Sequence, residues 1–164
     1  MESNNITVII PIHHLTKETK LTLTKAIESV NKQTEAPKEI LLVIKPEKAI
    51  EDFCKTLVPE TSILINEGKT DYPSQINLAV KNIKTEYFTV VEFDDELNKT
   101  WIQRANQYTS LYGKTTDIFL PIIYEYDKDK FSHMSNEAPW SDSFSEIQGF
   151  LDLEMCLEID VASL

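Results

Sequence analysis

Apolar residues along the 164-residue chain recur with two periods, and the periods alternate. Ile6-Thr7-Val8-Ile9-Ile10 is a β-branched run closed by Pro11, the pattern of a strand buried on both faces. Leu23, Ala26, Ile27 and Val30 then fall at i, i+3, i+4 and i+7, which puts them on one face of a helix. Residues 39–44 predict a second buried strand, bracketed by Pro37 and Pro46. Ile50, Phe53, Cys54 and Leu57 repeat the helical spacing ahead of Pro59. A short third strand is predicted over 62–65, a third helical face by Ile76, Ala79, Val80 and Ile83, and a fourth strand over 87–91. Trp101, Ala105, Tyr108 and Tyr112 mark a fourth helix, with Gly113 as its stop. A fifth strand is predicted over 118–123, and Pro121 places it near an edge or a bend.

Strands alternating with amphipathic helices predict an α/β fold, a mostly parallel sheet with helices on both faces. Ligands of such sheets bind at the carboxyl ends of the strands. The functional loops are therefore expected at 12–16, 45–48, 66–73 and 92–97. Past Tyr124 the pattern weakens. Asp127-Lys128-Asp129-Lys130 reads as a solvated turn. Residues 134–145 have no period, and 147–161 are apolar without a clear one. There is no internal repeat.

Composition narrows the function classes. The length fits one domain, 1–164, able to bury a core without disulfides or metals. A net charge of −11, from 16 basic and 27 acidic residues, argues against nucleic acid or an anionic membrane as the main partner. The two cysteines, Cys54 and Cys156, make no disulfide framework. The start of the chain lacks a signal-peptide pattern, and no apolar run reaches the length of a membrane span. A cytoplasmic protein is expected, or one carried in a larger assembly such as a virion. The Lys-, Asn- and Ile-rich composition suggests a viral or bacterial source.

The sharpest chemical feature is Glu92-Phe93-Asp94-Asp95-Glu96, directly after a buried strand. Residues i and i+2 of a strand point the same way, so Glu92 and Asp94 are expected to converge on one ion. Clustered carboxylates repel unless a cation neutralises them, and hard divalent cations favour such oxygen donors. The same residues also fit an acidic loop that only caps the next helix. With three glycines in the chain, Gly68, Gly113 and Gly149, no Gly-rich phosphate loop is available.

Several segments, in order, resemble family 2 glycosyltransferases, which have a GT-A fold. Val8-Ile9-Ile10-Pro11 is similar to the family's opening strand. Ala26-Ile27-Glu28-Ser29-Val30-Asn31-Lys32-Gln33-Thr34 resembles its first helix, which ends in a Ser-Val/Leu…Gln-Thr pattern. Glu39-Ile40-Leu41-Leu42-Val43 resembles its second strand. Asn66-Glu67-Gly68 matches an Asn-x-Gly turn, Asn77 falls where a helix Asn is usual, and Glu86-Tyr87 leads into the acidic loop. In that register Glu92 and Asp94 take the acidic positions of a D-x-D motif, followed by Asp95.

The resemblance implies a nucleotide-sugar donor with Mn²⁺ or Mg²⁺ on its diphosphate. Glu92, Asp94 and Asp95 are the implied metal ligands. Pro11, Ile12, His13, Asn66, Gly68, Asn77 and Asp94 are the implied nucleotide-sugar contacts, with His13 a candidate to stack on the base. His13 and His14 also fit plain loop residues. The implied reaction is inverting transfer to a carbohydrate or other hydroxyl acceptor.

The departures matter as much. Ile44-Lys45 stands where the family has an acidic pair, and neither side chain accepts a hydrogen bond from a uracil ring. Gln75-Ile76 stands where an Arg is often found. Gly149-Phe150-Leu151-Asp152 and Glu158-Ile159-Asp160 resemble the family's catalytic end only distantly, with Asp152 the candidate base. Residues 1–112 read as a donor-binding part and 113–164 as an incomplete acceptor side. The parent protein is then expected to be a transferase, and this chain alone inactive. The competing reading is a catalytically degenerate domain kept as a structural or interaction module. An uncovered sheet face would suit self-association or an assembly partner.

Overall fold

The computed structural model describes residues 5–115, together with the strand backbones at 123–127 and 130–135. The described residues fall into two compact units, one ending at Gln107 and the other beginning at Tyr108.

The first unit is built on β1 (Ile6–Ile12), β2 (Glu39–Ile44), β3 (Ile63–Ile65) and β4 (Tyr87–Val90), in the order β3-β2-β1-β4. Every pairing is parallel. This is the α/β fold expected, and the helical segments fall where the apolar spacing put them. Helix α1 (Lys17–Asn31) buries Leu23, Ala26, Ile27 and Val30, the four residues of its predicted face. Its start is fixed by a reciprocal cap: Thr19 N donates to Thr16 Oγ1 and Thr16 N donates to Thr19 Oγ1. Helix α2 (Lys48–Cys54) ends sooner than its apolar spacing suggested, and Leu57 lies in the turns beyond it. Helix α3 (Tyr72–Asn82) starts at Asp71, whose carboxylate accepts from Ser74 N. Helix α4 (Trp101–Tyr112) stops at Gly113 as expected.

The strand order fixes where each helix sits. Parallel crossovers are right-handed, and β1-α1-β2 and β2-α2-β3 both step in one direction. The step from β3 to β4 runs back across the sheet, so α3 covers the opposite face. On that face Ile9, Leu41 and Val43 pack with Ile76 and Ala79. Val8, Ile10, Leu42 and Ile44 point the other way and are also wholly buried. Burying each such aliphatic side chain contributes on the order of 1.5–3 kcal/mol.

Pro11 lies inside β1 instead of ending it. The ladder toward β4 closes with Val91 N donating to Ile9 O. Pro11, two residues on, faces the same side past the end of β4, so its missing N–H breaks no rung.

In the second unit β5 (Ile123–Asp127) and β6 (Lys130–Ser135) form an antiparallel pair with a register shift at Glu125/Tyr126. The sequence pattern did not predict this hairpin, in which Asp127 and Lys130 of the charged segment pair with each other. The strand expected at 118–123 falls, but for its last residue, outside the described residues. So do Asp152 and the 149–160 segments. No helix among the described residues is long and apolar enough to cross a membrane.

Candidate functional site

The strand order reverses between β1 and β4, and the carboxyl ends of those two strands form the switch-point crevice where sheets of this kind take ligands. Two loops flank it, 13–16 after β1 and 91–96 after β4.

The acidic loop is a turn. β4 stops at Val90, and Asp95 N donates to Glu92 O at 3.1 Å. The strand alternation expected to align Glu92 with Asp94 therefore does not reach them, which corrects the geometry predicted from the sequence. The turn tucks Phe93 inward and leaves Glu92, Asp94 and Asp95 exposed. The three still act on one another. Partial desolvation, then the charges of Asp94 and Asp95, hold the Glu92 carboxyl above the ordinary range. Desolvation and Asp94 do the same to Asp95.

Three rings close the other side. His13 and His14 lie 4.5 Å apart, and Phe93 meets them edge-on at 5.2 and 5.1 Å. Partial desolvation lowers the His13 pKa; His14 and Lys45 lower it further, against an opposing pull from Asp94. The cluster thus sets exposed imidazole surface beside carboxylates, with His13 held toward its neutral form.

The chemistry of these donors fits a divalent cation. Among the described residues no ion pair neutralises Glu92, Asp94 or Asp95. Nor is any group of three or more His, Cys, Asp or Glu gathered there as a ready cage. Mg²⁺-type ions do not require such a cage, since they take one or two carboxylates and complete their shell with substrate phosphates and water.

The end of β2 and β3 is different. Ile44 is wholly buried, and Lys45 pairs with Glu47 at 2.8 Å. Asn66 is buried, and both ends of its amide serve its own turn: Nδ2 donates to Lys69 O at 2.6 Å and Oδ1 accepts from Gly68 N at 3.0 Å. A Cβ on Gly68 would meet Asn66 Oδ1 at 3.4 Å, an ordinary contact. β3 lies two strands from β1, about 10 Å away. Asn66 and Gly68 thus stand apart from Asp94, within reach only of a different part of an extended ligand. Asn77 faces outward from α3. Pro11 and Ile12 are buried at the end of β1.

Gln75 went unassigned in the sequence, and so did Phe93. Gln75 is wholly buried, and its Nε2 donates to Ile12 O at 3.1 Å and Val43 O at 3.4 Å, joining the ends of β1 and β2. Its Oε1 is the one buried side-chain polar atom without a protein partner among the described residues. A polar residue on the apolar stripe of a helix was the available signal.

The profile of Glycosyl transferase family 2 matches residues 7–162. No curated protein matches the chain. Among solved structures, S. aureus TarS 1-349 in complex with UDP-GlcNAc is similar with a TM-score of 0.57 and 17% identity, over 79% of this chain and 37% of that one. S. aureus TarS itself aligns with a TM-score of 0.52 and 20% identity, over 71% of this chain and 21% of that one. A 4-diphosphocytidyl-2C-methyl-D-erythritol synthase aligns with a TM-score of 0.55 and 12% identity, over 83% and 70%. At identities this low the structural likeness shows a shared fold alone. The chain spans about a fifth of the TarS chain and under two fifths of its 1-349 form.

Proposed function

This chain is a member of glycosyl transferase family 2, and from that premise we propose that it binds a nucleotide-sugar at the β1/β4 crevice as the donor-binding part of a sugar transferase. The observation that supports this most is the turn of mutually repelling carboxylates set against the His13–His14–Phe93 rings. The imidazole of His13 would stack on the base, with Pro11 and Ile12 beneath it. One or two of Glu92, Asp94 and Asp95 would hold Mn²⁺ or Mg²⁺ at the diphosphate, and Asp94 would face the donor itself. The bound cation supplies charge neutralisation for a departing phosphate oxygen. The Asn66–Gly68 turn and Asn77 would border the outer part of the donor. An acceptor hydroxyl, of a carbohydrate or another alcohol, would attack the anomeric carbon as a carboxylate base takes its proton. Asp152 is the candidate for that base.

A second reading is a domain that keeps this fold as a binding or structural module. Ile44 and Lys45 favour it: one is buried and the other is tied to Glu47, so neither offers a base-reading acceptor.

Thermal unfolding with and without Mn²⁺, across UDP, CDP, GDP and their sugars, separates the two. A ligand at ~100 times its dissociation constant stabilises the fold by about 2.7 kcal/mol. The donor reading expects a shift that needs both metal and nucleotide and disappears in Asp94→Ala. No shift with any nucleotide would sink it in favour of the module.

A further inference from the structure

The acidic loop is held from outside by the end of α1. Ser29 Oγ accepts from Leu97 N at 3.0 Å. Gln33 reaches both ways: Nε2 donates to Asn98 O at 2.8 Å, and Oε1 accepts from Ile102 N at 2.9 Å. Thr34 N donates to Lys99 O at 2.9 Å, and Thr34 Oγ1 donates to Gln103 Oε1 at 3.1 Å. Each contact joins residues more than 60 positions apart in sequence. Ile102 N is a first-turn donor of α4 that no intrahelical carbonyl can satisfy, so Gln33 caps α4 from another element.

These contacts bracket the carboxylates. Val91 is fixed to Ile9 at one end and Leu97 to Ser29 at the other, with 92–96 between. Beside the clamp lies an open groove of ≈ 540 Å³, lined by Ser29, Lys32, Glu96, Leu97 and Lys99. Side-chain packing does not fill that space, so the hydrogen bonds carry more of the restraint. Ser29 is itself oriented by donating to Ala26 O at 2.7 Å, and Gln33 by donating to Ser29 O at 3.1 Å.

We propose that Ser29 and Gln33 are positioning residues that set the placement of Glu92, Asp94 and Asp95 for a cation and diphosphate. The proposal rests on the donor-site reading above and deepens it. It gives a physical task to the Ser-Val…Gln-Thr pattern at the end of the first helix. The clamp acts through the backbone at Leu97 and Asn98, so its release lets mutually repelling carboxylates spread; a loss of about tenfold in metal affinity is expected, the low end for partners bonded directly to metal ligands.

The test uses the full chain and the variants Ser29→Ala, Gln33→Met, which keeps the side-chain length, and Ser29→Thr, which keeps the acceptor. Two quantities are read: amide hydrogen exchange across 92–97, and UDP affinity with and without Mn²⁺. The expected result in Ser29→Ala and Gln33→Met is faster exchange confined to the loop. UDP affinity should fall about tenfold with Mn²⁺ and stay unchanged without it. Ser29→Thr should restore both. Unchanged loop exchange in Gln33→Met overturns the proposal. So does faster exchange with an undiminished Mn²⁺ increment, since the loop would then be anchored without being positioned. If the unaltered chain shows no Mn²⁺ increment, the donor site fails, and with it any positioning toward a cation. Loop exchange would then report on the clamp alone.

Discussion

The carboxyl edge of the sheet has two unlike halves. After β2 and β3, polar groups satisfy one another. Lys45 pairs with Glu47, and the buried Asn66 amide closes its turn onto Gly68 and Lys69. After β1 and β4, Glu92, Asp94 and Asp95 act on one another without an ion-pair partner among the described residues, beside a histidine held toward neutrality. One half uses its polar chemistry to hold the fold. The other holds charge against its own repulsion, which is the condition an incoming cation relieves.

The contrast can be broken by exchanging the expected losses. Asp94→Ala should cost about 100-fold in Mn²⁺-dependent UDP affinity while leaving the unfolding midpoint nearly unchanged. Asn66→Ala should leave the metal increment intact, and calorimetric titration of both variants checks the pair. Equal losses in the two would erase the distinction between the halves.

Asn66→Ala should instead destabilise the chain by about 2 kcal/mol in chemical denaturation, because Gly68 N–H and Lys69 C=O lose a buried partner. An unaltered midpoint would mean that the turn does not depend on this amide.

A smaller effect sharpens the electrostatic side. Glu92 and Asp95 have folded pKa values above their unfolded ones, so the folded chain binds their protons more tightly. Their contribution is then most favourable in acid and is lost as pH rises through the folded values. Above those values both carboxyls are ionised, and desolvation together with the neighbouring charges opposes folding. Asp95→Asn should therefore raise the melting temperature in metal-free buffer and blunt the stabilisation by Mn²⁺. His13 runs the opposite way: its folded pKa is lowered from 6.5, so its contribution is lost as pH falls below that value. His13→Gln should flatten the acid side of the stability profile near pH 6.

The smallest effect is expected at Gly68. No strained backbone and only an ordinary contact await a methyl group there. Gly68→Ala should shift stability by less than about 0.5 kcal/mol. A large loss would show that the turn needs glycine for a reason other than space.

The sheet was legible because burial on both faces writes continuous apolar runs, as in residues 6–10 and 39–44, and because α1 and α4 carry unbroken helical periods. Helix α2 was overread since Leu57 keeps the period after the backbone has turned. The hairpin β5–β6 was missed because the alternation of Tyr124-Glu125-Tyr126-Asp127 is short and Phe131–Ser135 does not continue it in step, the pairing shifting register at Glu125/Tyr126. At the candidate site, Glu92, Asp94 and His13 could be singled out from their place after strands. Their geometry was not legible: a hydrogen bond from Asp95 to Glu92 bends a segment that alternation treated as straight. The roles of Gln33 and Gln75 depend on carbonyls more than 30 positions away, which no local pattern encodes.

The most direct test is the footprint of UDP on the isotope-labelled chain, followed by amide chemical shifts in the presence of Mg²⁺. The account predicts the largest changes at His13, His14 and 92–96, dependent on Mg²⁺ and abolished by Asp94→Ala. A footprint that leaves His13, Phe93 and Asp94 unmoved would contradict it.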